Sequence, residues 1–89
     1  GDGNVHLCVV RGNRDGESWQ KELKKNMEKI YKKAYELGGL TSGEHGIGLG
    51  KVKFLAQAVG PVNMALMQGI KKVFDPKLIL NPGKVCMTL

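Results

Sequence analysis

The strongest constraint on folding in this chain is one apolar stripe. Trp19, Leu23, Met27, Ile30, Ala34 and Leu37 recur at spacings of four, four, three, four and three. Those intervals place all six on one face of a helix of about five turns. Asp15 or Ser18 can cap its start, and Gly38-Gly39 can end it through a left-handed residue. A helix of this kind needs a second layer over its stripe, so the chain reads as one small two-layer unit.

The stripe also decides how the charge is read. The 89 residues carry a net charge of +6, concentrated in Lys21, Lys24, Lys25, Lys29, Lys32 and Lys33. All six lysines fall off the stripe, and Glu17–Lys21 and Glu28–Lys32 are spaced for i,i+4 pairing. The basic cluster is therefore a solvated helix face. No aromatic residues interleave it for base stacking, so no nucleic-acid partner is expected. A small basic interaction module is the alternative class, and salt-dependent binding to nucleic acid would reveal it.

Around the helix the sequence suggests strands and shorter helices. Val5 to Val10 is apolar and β-branched, and a turn-rich Arg11-Gly12-Asn13-Arg14 follows it. As a strand it would put Val5, Leu7 and Val9 on one side and His6, Cys8 and Val10 on the other. Leu40-Thr41-Ser42 reads as a short second strand. Lys51 to Val59 reads as a helix stopped at Gly60-Pro61. A further helix from Pro61 to Phe74 would carry Val62, Leu66, Ile70 and Val73 or Phe74 on one face. Asp75-Pro76 breaks it. The expected fold is α+β: part of a ferredoxin-like sheet with helices on one face, truncated at its N-terminal side. No apolar run approaches the ~18 residues of a membrane span. The two cysteines, Cys8 and Cys86, are read as reduced thiols, which suits a cytoplasmic location.

Gly43 to Gly50 contains four further-spaced glycines around Glu44-His45. It is not a phosphate loop. A Walker-type pattern ending at Gly50-Lys51 needs glycine at position 45, where His45 stands, and Val52 offers no hydroxyl. The dinucleotide fingerprint fails too, because Lys51 and Lys53 occupy its third-glycine positions. What remains is a carboxylate and an imidazole held where backbone can approach a ligand closely, or else a surface turn whose Glu and His face water. If the two strands are neighbours, His6 and Glu44 converge. A histidine and a carboxylate suit zinc, manganese or iron(II). Two ligands are too few for a stable zinc site, so either a further ligand lies elsewhere or no metal binds. Taken alone, His6 reads rather as a half-buried strand histidine satisfied by a backbone carbonyl.

Three segments together are more specific. Gly1-Asp2-Gly3-Asn4-Val5-His6, Ser42-Gly43-Glu44-His45-Gly46-Ile47-Gly48, and Asp75-Pro76 followed by Asn81-Pro82-Gly83-Lys84 resemble the C-terminal domain of FAD-linked oxidases. That group contains D-lactate dehydrogenases, the glycolate oxidase flavin subunit and D-2-hydroxyglutarate dehydrogenases. The first family motif is His-x-Gly-Asp-Gly-Asn-x-His, whose first histidine would fall two positions before Gly1. The resemblance implies that this histidine, His6 and Glu44 ligate a divalent metal and that His45 is the catalytic base. It also implies that Asn81 belongs to a closing segment near the flavin. Members acting on 2-hydroxyglutarate have an Asn two residues after the second motif histidine. Cys8 stands there, which favours a smaller substrate such as D-lactate or glycolate.

The implied whole is an FAD-dependent 2-hydroxy-acid dehydrogenase whose FAD-binding domain lies outside these residues. A surface that normally meets that domain could make the isolated chain self-associate, which light scattering would show. The isolated chain is expected to be inactive: lactate- or glycolate-dependent dye reduction by these 89 residues alone should be at background.

Overall fold

In the computed structural model, which describes residues 1–87, the chain divides into two units, Gly1–Gly39 and Leu40–Leu89. Two helices run through them: α1 (Gly16–Glu36) in the first and α2 (Val52–Phe74) in the second.

In the first unit the stripe forms along α1, except that Leu37, expected as its last member, is the C-cap and is exposed. Trp19, Leu23, Met27, Ile30 and Ala34 are half-buried, while the lysines beside them stay in solvent. Tyr31, four residues after Met27, widens the stripe, and burial pushes its phenol above the ordinary pKa. Asp15, with φ −67° and ψ 165°, is the N-cap, and its carboxylate accepts from the Ser18 amide at 2.8 Å. Such a cap contributes about 1 kcal/mol. Lys21 pairs with Glu17 at 2.9 Å, Arg14 with Glu22, and Lys32 reaches Glu36 at 4.0 Å.

The helix end is a Schellman motif. Gly38 N–H donates to Tyr35 O at 3.0 Å, and Gly39 N–H donates to Ala34 O at 2.8 Å. Gly38 has φ +82°, where a Cβ is strained, and a Cβ on Gly39 would lie 3.1 Å from the Ala34 carbonyl oxygen.

The expected α+β fold is not found: the described residues contain two helices and no strand. Residues 4–11 carry no regular structure, with Val5, Leu7 and Val10 exposed, and Leu40-Thr41-Ser42 is a bend. β-Branched residues favour a strand only where a pleated, half-buried surface already exists. A strand also needs a neighbour to complete its ladder, and no described segment supplies one. The adjacent-strand route by which His6 and Glu44 were expected to converge is therefore absent.

In the second unit α2 is interrupted where Gly60-Pro61 indicated. Gly60 has φ 77° and ψ 171°, and Asn63 Nδ2 reaches back to the Val59 carbonyl at 2.9 Å. Beyond that kink the apolar face is not the covered one. Val62, Leu66, Ile70, Val73 and Phe74 are exposed, Phe74 at 81%. Met64, Met67, Gln68 and Lys71 are half-buried instead, because residues 75–87 return along their side.

Asp75 makes that return. Only 4% exposed, it accepts from the Ile79 amide at 3.2 Å, the Leu80 amide at 3.0 Å and Lys71 Nζ at 2.8 Å. Lys71 also donates to the Leu80 carbonyl at 2.6 Å. Cys86, 6% exposed, is the other buried side chain among the described residues. Both cysteines are free thiols. Among the described residues no helix is long and apolar enough to cross a membrane.

Two outcomes follow from these ends. Gly38→Ala should lower stability by about 1 kcal/mol, read from urea unfolding followed by circular dichroism. The Lys71 hydrogen bond, with the Leu80 and Ile79 amides, holds the Asp75 carboxyl below its usual pKa, against the opposing effect of burial. A depressed folded-state pKa stabilises above the unfolded value of about 3.9 and is lost as pH falls through the folded one. Helical signal from the second unit should therefore weaken below about pH 4. Asp75→Asn should flatten that acid limb and lower the thermal midpoint at pH 7 by several degrees.

Candidate active site

The glycine loop connects the bend at Leu40–Ser42 to α2. Gly46 at φ 75° and Gly48 at φ 55° occupy the left-handed region, so these two positions need glycine for conformational reasons. The loop is closed on itself by two contacts. Lys51 N–H donates to Ile47 O at 3.2 Å, and Lys51 Nζ lies 3.5 Å from Ser42 Oγ. It is also held from outside, since the Val85 amide donates to the Gly48 carbonyl at 2.8 Å.

On this frame Glu44 and His45 stand side by side, with Glu44 Oε1 and His45 Nε2 3.5 Å apart. Both side chains are exposed, which leaves an oxygen donor and a nitrogen donor accessible to a ligand. Glu44 also lines a cavity of about 300 Å³, whose apolar side is Leu40, Ile47, Leu55, Ala58 and Val59. Thr41 and Ser42 add hydroxyls to the same lining. A small carboxylic acid suits such a site: its carbon chain can meet the apolar side and its oxygens the polar rim.

The other expected site residues belong to other segments of the chain. His6 belongs to the first unit, in the irregular segment before α1, with its Nε2 4.0 Å from Cys8 Sγ. Asn81 lies in the C-terminal segment of the second unit, exposed, with φ 45°. Thus the structure brings Glu44 and His45 together on one loop, and places Asn81 in the segment that also carries Val85.

A family model described as "FAD linked oxidases, C-terminal domain" matches residues 1–85. The chain belongs to this family. It is 49% identical over 89 residues to a D-lactate dehydrogenase of Anaerostipes hadrus, covering 100% of this chain and 19% of that protein. A probable mitochondrial D-lactate dehydrogenase of Danio rerio is 40% identical over 85 residues, 96% of this chain and 17% of its own length. The glycolate oxidase subunit GlcD of Bacillus subtilis is 36% identical over 85 residues, 96% of this chain and 18% of its own. The chain thus spans less than a fifth of the length of these relatives.

Family membership places the chain with the C-terminal domains of FAD linked oxidases. It accords with the resemblance carried by the three motifs, including the loop that holds Glu44 and His45. Three residues that shape this region were not singled out from sequence. In the sequence Lys51 reads as a helix start that breaks two glycine-loop patterns, and positions 68 and 85 read only as helix and tail. A half-buried lysine closing a glycine loop has a local sequence signal, because Ser42 and Lys51 bracket the loop. Gln68 and Val85 act across long separations and have none.

Proposed function

We propose that this chain is the substrate-facing segment of an FAD-dependent dehydrogenase that oxidises a small 2-hydroxy acid, D-lactate or glycolate, to the 2-oxo acid. The observation that carries the reading is the adjacent Glu44 carboxylate and His45 imidazole on a glycine-held loop beside a small, largely apolar cavity. The names of the relatives, D-lactate dehydrogenase and glycolate oxidase subunit, support the substrate class.

Oxidation of a secondary or primary alcohol removes a hydroxyl proton and a hydride from carbon. His45 takes the proton onto an imidazole nitrogen, which requires the neutral ring within hydrogen-bond reach of the hydroxyl. Bound FAD would supply the acceptor for the hydride, the step that side chains cannot perform. Glu44, together with His6, provides oxygen and nitrogen donors of the kind that hold zinc, manganese or iron(II). Such a cation would supply Lewis acidity toward the substrate hydroxyl. The exposed carboxylate of Glu44 fits that role, since Glu44 lines the cavity and its side chain stays in solvent, unlike the buried Asp75 with its backbone bonds. Asn81 faces the flavin side in this reading. Cys8, in place of an amide, leaves no added polar group for a second substrate carboxylate. A cytoplasmic location suits the two free thiols, although several relatives are named as mitochondrial.

In the full-length enzyme, His45→Gln should lower kcat by about 10²- to 10⁴-fold while FAD content is retained. Glu44→Gln should lower bound metal, measured by elemental analysis, together with turnover. D-Lactate or glycolate should exceed 2-hydroxyglutarate in kcat/KM. Unchanged turnover in His45→Gln would defeat this assignment.

A further inference from the structure

The loop that carries Glu44 and His45 is rich in glycine, and glycine by itself does not hold side chains in one place. Something outside the loop must do so. Gly48, three residues past His45, accepts from the Val85 amide at 2.8 Å. The carbonyl of the following residue, Cys86, accepts from Gln68 Nε2 at 2.8 Å, a partly buried bond across 18 residues. Cys86 is one of the two buried side chains among the described residues, so this short segment is anchored rather than loose.

Val85 itself has φ 58°. A β-branched residue is a real outlier there, and such a conformation persists only where its surroundings over-determine it. The two hydrogen bonds flanking Val85 are those surroundings. One fixes the amide on its N-terminal side to the glycine loop. The other fixes the carbonyl of the following residue to α2.

We infer that Gln68 is a positioning residue for the candidate active site. Through the Cys86 carbonyl it holds Val85 in its strained conformation, and the Val85 amide in turn fixes the loop that aims Glu44 and His45. This inference rests on the function proposed above for those two residues. Gln68 touches neither substrate nor cofactor in this scheme. It acts by narrowing the conformations of a loop whose reacting groups must sit within about 1 Å of their working positions.

The test is made in the full-length enzyme with Gln68→Met, which removes the amide donor at similar volume, and Gln68→Lys, which restores a donor. Hydrogen exchange by mass spectrometry is read on peptides covering residues 42–51 and 83–87. FAD content, thermal midpoint, kcat and KM are measured alongside. In Gln68→Met, loop exchange should speed up severalfold and kcat should fall roughly tenfold, with KM changed less than about twofold. FAD content and midpoint should hold, and Gln68→Lys should recover most of both losses. A Gln68→Met enzyme with unchanged kcat overturns the inference.

If Gln68→Met proves poorly folded, Val85 decides the matter. Val85→Gly keeps the amide and relieves the backbone, so it should retain kcat. Val85→Pro removes the amide and should lose kcat. Equal behaviour of the two overturns the inference. His45→Gln, run in parallel, separates the two levels. An inactive His45→Gln beside an unaffected Gln68→Met removes the positioning role alone, whereas an active His45→Gln removes the functional reading beneath it.

Discussion

The second unit depends on where the Asp75 carboxylate goes. A carboxylate with 4% exposure is tolerable only if its oxygens are fully used, and here two amides and Lys71 use them. Those bonds curl residues 75–80 into a tight cap at the end of α2. Lys71 then ties the far side of the cap, the Leu80 carbonyl, to the helix one turn back. The chain leaving the cap has one direction available, back along the Met64, Met67 and Gln68 side. The bonds from Gln68 to Cys86 and from Val85 to Gly48 follow from that direction. A charge that ends a helix thereby determines what holds the glycine loop.

Features governed by near neighbours were legible in the sequence. The stripe from Trp19 to Ala34, the Asp15 cap, the Gly38-Gly39 terminus and the Gly60-Pro61 interruption each arise from residues within about one turn of each other. The strands were not legible in the same way. Val5 to Val10 has every local preference of a strand, yet pairing is a property of two segments, and the described residues hold no second one. The covered side of α2 is not legible for a related reason. Val62, Leu66 and Ile70 form a regular stripe, but a helix apolar on more than one side does not tell which side its own chain will cover. The polar bonds of Gln68 and Lys71 made that choice.

The candidate site divides along the same line. Glu44-His45 among glycines was conspicuous because acidic and imidazole groups in a left-handed-capable loop have few structural reasons to be there. Their 3.5 Å approach is local, between adjacent residues. The support for the loop is not local at all: Gly48 and Val85 are separated by most of the second unit. A glutamine on a helix and a valine in a tail have no composition or spacing that marks them as partners of that loop.

The strain in the C-terminal segment shows how the parts balance. Leu78, Asn81 and Val85 all adopt positive φ, at 54°, 45° and 58°. Asn tolerates this region, whereas Leu and Val lose about 1–2 kcal/mol each in it. A flexible tail would relax out of such conformations. This one is pinned at three places: Asp75 at the Ile79 and Leu80 amides just after Leu78, Lys71 at the Leu80 carbonyl, and Gln68 at Cys86. Each net hydrogen bond contributes about 1 kcal/mol, and those to charged groups somewhat more, so the pins match the strain in scale. Remove one pin and the adjacent left-handed residue has reason to relax. At Gln68 that residue is Val85, whose amide is the external hold on the loop. The region most strained in the second unit is therefore also the one to which the Glu44–His45 geometry is most sensitive.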